Sequence, residues 1–133
     1  MKRRVSFALW LALAVVLLQP HPVFATACNA SGCWNGLVEV IKVSDDGKIW
    51  FVVDDSEALE ALTETPPGGC ILRNIWVGGA ERALFIAVDD PSRDEKYKVL
   101  LASQTLGKRI GFNPELDPTS GWCRLGNVSL GST

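Results

Sequence analysis

Histidine is all but missing from this chain: the one imidazole is His21, inside a stretch from Met1 to about Ala27 that reads as a cleaved leader. The chain beyond it has none. Serine triads built on histidine, mixed Cys/His zinc sites and switching near neutral pH therefore lose their usual residue. Four cysteines are present, but no C-x-x-C spacing and hence no thioredoxin-like redox signature. No Ser-x-x-Lys follows the leader, so a lysine-activated serine has no motif either. EF-hand spacing is absent, and Gly68-Gly69 and Gly78-Gly79 lack a phosphate-cradling pattern and read as turns. No second apolar run approaches membrane length, and no internal repeat or long linker divides the chain. Neither a cofactor nor a metal is expected.

The leader has three parts. Lys2, Arg3 and Arg4 are basic, Val5 to Leu18 is apolar, and Pro20, His21 and Pro22 break the run before Val23-Phe24-Ala25-Thr26-Ala27. This is the layout of a secretory signal, with small residues where a peptidase cuts, after Ala25 or Ala27. Residues 28–133 then form a single exported domain, periplasmic or secreted, without a membrane span. A lipid on Cys28 is the competing fate; it would leave an odd thiol among the other three cysteines. Without the leader the chain keeps ten Lys and Arg against fifteen Asp and Glu, a net charge of −5. That balance argues against nucleic acid, which needs a concentrated positive surface. Lys96, Lys98, Lys108 and Arg109 are the one basic cluster, and a solvated helix face and strand start account for it.

Cys28, Cys33, Cys70 and Cys123 are an even set in an exported chain, which implies two disulfides. Of the three possible pairings, Cys28 with Cys33 and Cys70 with Cys123 is favoured. The first closes a short loop and the second ties the middle of the chain to its last strand.

Leu37 to Val43 and Lys48 to Val53 have strand composition around Ser44-Asp45-Asp46-Gly47, a β-hairpin with a D-G turn. Asp54, Asp55 and Ser56 end the second strand and cap a short helix, Glu57 to Leu62, with Leu59 and Leu62 facing inward. Pro66-Pro67-Gly68-Gly69 stops it. A strand runs from Cys70 through Trp76 and Val77, and Ala83 to Val88 is another apolar run. Gly78-Gly79 between them is either a bulge in one bent strand or the turn of a second hairpin. The main helix follows, with Asp90 or Ser92 as cap and Gly107 at its end. Tyr97, Leu100, Leu101 and Gln104 lie on one face, and Val99, Ala102 and Leu106 widen it to a broad buried side. Arg109 to Phe112, a loop from Asn113 to Gly121 and a last strand from Trp122 to Leu130 complete the chain.

The fold class expected is mainly β with one main helix. Five strands with the helix between the third and fourth is the order of an OB-fold barrel, here stapled by disulfides. The hairpin Gly36-Leu37-Val38 to Gly47-Lys48-Ile49-Trp50, the central Cys70, the passage Tyr97 to Ile110, and Cys123 before a final strand together resemble small exported bacterial proteins. Some of these are related in shape to the B subunits of AB5-type toxins, the subtilase-cytotoxin B subunit among them. The resemblance implies an OB-fold, a ring-shaped homo-oligomer and binding of cell-surface glycans. It also implies that the sequons Asn29-Ala30-Ser31 and Asn127-Val128-Ser129 are chance matches, as in any bacterial protein. The chain departs from that family in the Glu57 to Thr63 insertion, and no sugar-contacting residue is carried over.

Adjacent acids occur at Asp45-Asp46, Asp54-Asp55, Asp89-Asp90 and Asp94-Glu95, with Glu115 and Asp117 nearby. A glycosidase needs two carboxylates facing across a cleft, whereas neighbours on a strand point to opposite faces. Turn and cap roles suit these acids better, and the chain is expected not to be an enzyme. Tryptophan is more informative. Trp50, central in a strand, is core. Trp34 and Trp122 stand beside disulfide cysteines, where an exposed indole offers a flat apolar face to a sugar or a partner protein. Packing against those disulfides is the competing role. The reading is an exported binding module whose ligand is a glycan. Its alternative is an inhibitor or adaptor of another exported protein, for which a protruding Asn113 to Gly121 loop would be the mark.

Overall fold

The computed structural model describes residues 25–63, 69–74 and 82–131. Most of the leader, the Pro66-Pro67-Gly68 stop, Trp76 and the Gly78-Gly79 pair lie outside them. Eight strands form one mixed sheet. In chain order they are β1 (Ala27–Asn29), β2 (Gly32–Gly36), β3 (Val38–Val43), β4 (Ile49–Val53), β5 (Arg73–Asn74), β6 (Arg82–Ile86), β7 (Ile110–Leu116) and β8 (Cys123–Leu130). A 3-10 helix, Ser56–Thr63, follows β4, and helix α1, Arg93–Leu106, lies between β6 and β7.

The strands pair in the order β1-β2-β7-β8-β6-β4-β3, with β5 added to β6. All contacts are antiparallel except β6 with β8. The pairings leave the sheet open, so the expected five strands closing into a barrel become eight strands in an unclosed path. The extra count has a local cause. Only Leu37 separates β2 from β3, yet β2 pairs with β7 and β3 with β4, so one run of extended chain serves two partners.

The D-G hairpin stands as read, with the Gly47 N–H donating to the Ser44 carbonyl at 2.8 Å and Val43 opposite Ile49. All five residues of β4 are buried, because both faces of the sheet are covered there. Ile49, Phe51 and Val53 point into the main core with Leu84, Ile86, Leu100, Ile110, Phe112 and Leu125. Trp50 and Val52 point the other way, into a second cluster with Ala83, Phe85 and Ala87, against which Val40 and Trp122 pack. Strand alternation sorts the two sets. Leu59 and Leu62 of the 3-10 helix are fully buried in the main core. Antiparallel pairing of Arg73 with Ala83 and Asn74 with Arg82 makes β5 and β6 the second hairpin rather than one bent strand.

Helix α1 differs from its expected form in two ways. Ser92 stands at the N-cap but makes no side-chain cap; Asp90 instead closes the turn before the helix, accepting the Ser92 N–H at 2.8 Å and the Lys96 ammonium. The buried side is also narrow. Leu100 and Ser103 are buried, but Leu101 is exposed and Leu106 is 68% exposed. Polar anchors replace breadth: Ser103 Oγ accepts the Val38 N–H at 3.0 Å and Gln104 Nε2 donates to the Glu39 carbonyl at 3.0 Å. These fasten the helix to β3, while Leu100 with the partly buried Tyr97 and Val99 supplies its apolar contact with the core. Gly107 ends it in the left-handed conformation, at φ 65°.

Both disulfides pair as expected, Cys28 with Cys33 and Cys70 with Cys123. Cys28 is thus not free to carry a lipid. Thr26 is only 3% exposed, and its hydroxyl donates to Asp54 Oδ1 at 2.6 Å. A cut after Ala27 would delete that contact and the Ala27 that pairs with Trp34. Of the two cleavage points expected from the sequence, the one after Ala25, which leaves Thr26 first, is the one that keeps these contacts. An intact mass matching that start with two disulfides and no acyl group is the expected readout; a chain starting at a lipid-bearing Cys28 would overturn it.

Candidate ligand cleft

The outer face of β2, β7 and β8 carries the candidate site, and its geometry starts in the first hairpin. Asn29 forms the turn between β1 and β2: its Oδ1 accepts the Ser31 N–H at 2.9 Å, the Ser31 hydroxyl at 2.7 Å and the Gly32 N–H at 3.2 Å. The Cys28–Cys33 bond closes the same turn. Gly32 is required by close approach, since a Cβ there would sit 2.6 Å from Asn113 Nδ2 and 2.8 Å from the Phe112 carbonyl. Asn113 Nδ2 uses that space to donate to the Ser31 carbonyl at 2.6 Å.

Trp34 comes next, and a bulge aims it. Cys33 pairs with Phe112 and Gly36 with Ile110, so three steps along β2 oppose two along β7. Asn35 takes up the extra residue at φ 57°, an uncommon conformation for a side chain larger than hydrogen. A strut holds it there. Arg109 Nη1 donates to the Asn35 carbonyl and, at 2.9 Å, to Asp54 Oδ2. Asp54 Oδ1 in turn accepts the Leu37 N–H at 2.8 Å as well as Thr26. Burial would raise the Asp54 pKa, but the Thr26 hydroxyl, the Leu37 N–H and the Arg109 guanidinium outweigh it and hold the carboxyl below its ordinary value.

The result is a cleft of about 430 Å³ beside Trp34, which is 46% exposed. Its polar lining comes from Asn29, Ser31, Asn113, Asn127 and Ser129. Among the described residues no ionisable side chain lines it. Gly111, opposite Ser129 in the β7–β8 ladder, leaves the face open, and Asn113 stands opposite Asn127. A volume of this order suits a small ligand. The amides and hydroxyls supply donors and acceptors together, next to a flat indole edge.

Trp122 lies elsewhere. It is half-buried against Trp50 and Phe85, with ring centroids at 5.6 and 6.4 Å, and the Arg73 guanidinium covers it at 4.5 Å. The structure does not bring it to the Trp34 cleft. The basic cluster is also dispersed, with Lys96 paired to Asp90 and Arg109 to Asp54. The Asn113 to Gly121 segment is not a protruding loop: β7 runs on to Leu116, and the short turn left is bound to Asp117 by the Gly121 N–H at 2.8 Å and by Ser120. Pro114 is accommodated within β7 next to a register shift, the kind of position at which a strand tolerates proline.

The acid pairs are partnered singly. Asp46 meets Lys48, Asp90 meets Lys96 and Glu115 meets Arg124. Asp90 and Asp117 are held below the ordinary carboxylate value, Asp90 by Lys96 and the Ser92 N–H against the cost of its burial, and Asp117 chiefly by the Ser120 hydroxyl. Such carboxyls stay ionised at neutral pH and are poor proton donors. Among the described residues no group of three or more His, Cys, Asp or Glu is placed to hold a metal, and no helix is long and apolar enough to cross a membrane.

Sequence marks Asn29 and Asn127 as sequons, not as neighbours in a cleft. Alternation along β8, which puts Asn127 and Ser129 on one face, is the signal that points to them. No family model, curated protein or solved structure matches the chain.

Proposed function

We propose that this chain is an exported, non-catalytic binding module of the OB-fold type that recognises a glycan through the Trp34 cleft. One observation carries the reading: an exposed indole beside uncharged amides and hydroxyls, in a cleft with no ionisable lining among the described residues. Sugars present vicinal hydroxyls, each both donor and acceptor, along a ring with an apolar face. Asn127, whose side chain has no partner among the described residues, meets the first need, and Trp34 the second.

The order of elements supports the OB-fold part. With β2 and β3 counted as one strand bent at Leu37, the run is bent strand, β4, β6, helix, β7, β8, which is five strands with the helix between the third and fourth. OB barrels are partly open, in keeping with an unclosed path. On this reading β1, β5 and the 3-10 helix are additions, and assembly into a ring, as in toxin B subunits, is the associated oligomeric proposal.

A glycan array probed with the mature protein, with its mass measured by light scattering, tests the reading. Trp34→Ala is expected to weaken every hit by about thirtyfold or more, the scale of a hot-spot aromatic, while leaving the unfolding midpoint nearly unchanged. No reproducible hit, or hits that survive Trp34→Ala, would sink it and move the inhibitor or adaptor role forward.

A further inference from the structure

We infer that the Trp34 cleft is the first part of a longer groove built for an oligosaccharide of neutral or amino-bearing sugars, from which acidic sugars are excluded. This rests on the glycan reading above. A second cleft, of about 440 Å³, adjoins the first, and Asn127 lines both. The ladder shows why they run together. Along β7, Gly111, Asn113 and Glu115 alternate with the buried Ile110, Phe112 and Pro114 and so share the outer face. Their β8 partners are Ser129, Asn127 and Arg124. Strict alternation from Asn127 would turn Arg124 inward; the register shift, with Gly126 as the extra residue, returns it to the outer face. A Cβ at Gly126 would lie 2.8 Å from Glu115 Cγ and 3.1 Å from the Asn113 carbonyl. Gly126 is therefore what lets Glu115 lie against β8 in the second cleft, next to the shared Asn127.

Length sets the size of the ligand. From Gly111 to Glu115 is four strand residues, about 14 Å at the usual rise. A single pyranose ring does not span that distance, whereas two or three linked units do.

Charge sets its type. The second cleft holds Asp89, Asp90 and Glu115 against Lys96 and Arg124. Both cations are already engaged, Lys96 by Asp90 and by the Leu125 carbonyl at 3.0 Å, Arg124 by Glu115 at 3.1 Å and Asp117 at 3.9 Å. Asp89 is exposed and has no hydrogen-bond or ion-pair partner among the described residues. A free carboxylate accepts from sugar hydroxyls or an ammonium group and repels a carboxylate or sulfate.

The test uses the mature protein and defined probes: neutral glucose, galactose and N-acetylglucosamine oligomers of one to four units, glucosamine oligomers, and sialylated and sulfated oligosaccharides. Affinity is expected to rise at least about tenfold from one unit to three, the gain of one or two further hydrogen bonds, with acidic probes at least about tenfold weaker than neutral ones. Asp89→Lys, at an exposed position, is expected to admit acidic probes without changing the unfolding midpoint. Equal affinity for one and three units, or acidic probes binding the wild type as well as neutral ones, would overturn the inference while the Trp34 reading stands. Loss of the array hits themselves, or their survival in Trp34→Ala, would remove the reading and the inference together.

Discussion

Replacing Cys70 and Cys123 together by alanine is expected to lower stability by about 4 kcal/mol, on the chain-entropy scale for a loop whose ends are 53 residues apart. Both cysteines are buried in the main core, so the two lost sulfur contacts add to the effect. The bond does a specific job. Residues 69–74 contribute only the two-residue β5, yet they carry Ile71, whose N–H donates to the Gly121 carbonyl at 2.9 Å and whose carbonyl accepts the Cys123 N–H at 2.8 Å. Those two hydrogen bonds lie beside the disulfide and lose their anchor with it. Against a usual total of roughly 5 to 15 kcal/mol, about a quarter or more of the stability is at stake. Urea unfolding with the slope held comparable is the measurement. A loss below about 1 kcal/mol would mean that backbone pairing alone fixes this segment. The Cys28–Cys33 bond is worth about 2 kcal/mol on the same scale, but its removal is expected to act on ligand affinity more than on the midpoint, because it closes the turn that carries Asn29.

What was legible in the sequence was chemistry that acts locally. The D-G turn fixes its own hairpin, Gly107 its own helix end, and the even cysteine count the two disulfides. Leu59 and Leu62 were readable as inward because their spacing suits one helical face. The misses share a different origin: each depends on a partner strand. Nothing near Leu37 announces that the strand before it pairs with β7 and the strand after it with β4. Pro114 reads as a loop residue until the register shift beside Asn127 is known. Leu101 and Leu106 read as core because apolar spacing does not reveal that Ser103 and Gln104 fasten the helix through backbone groups of β3.

The two tryptophans divide on the same principle. Each stands next to a disulfide cysteine, and sequence context treats them alike. β4 and β6 are apolar on both faces, so a second cluster exists to receive Trp122 and Arg73 to cover it. Among the described residues no such layer lies over Trp34, which the bulge at Asn35 leaves exposed. The candidate site was half visible, in one of its aromatic residues and two of its asparagines, but the face that unites them is a product of the β2–β7–β8 register.

Asp54→Asn is expected to lower stability at neutral pH by about 2 kcal/mol, the scale for removing the charge from a partly buried, multiply bonded ion pair. Its sign with pH follows from the direction of the shift. The folded carboxyl lies below its ordinary value of 3.8, so its contribution is complete above that value and is lost as pH falls through the lower, folded one. The gap between wild type and Asp54→Asn should therefore be constant from about pH 5 to 8 and close progressively below about pH 4. A gap that widens in acid would show that the carboxyl is not held ionised by Arg109, Leu37 and Thr26. The same substitution frees Arg109, which otherwise braces the Asn35 carbonyl. Asn35 at φ 57° is a costly conformation to hold without that brace, so Trp34 should sample several orientations and its indole emission should broaden. Glycan affinity should then fall in Asp54→Asn although Asp54 does not line the cleft. Arg109→Lys should reproduce part of that fall, since a flexible ammonium lacks the rigid plane that aims both Nη1 hydrogens at the Asn35 carbonyl and Asp54. Unchanged affinity in both variants would mean that the β1–β2 turn, closed by its disulfide, is enough to present Trp34.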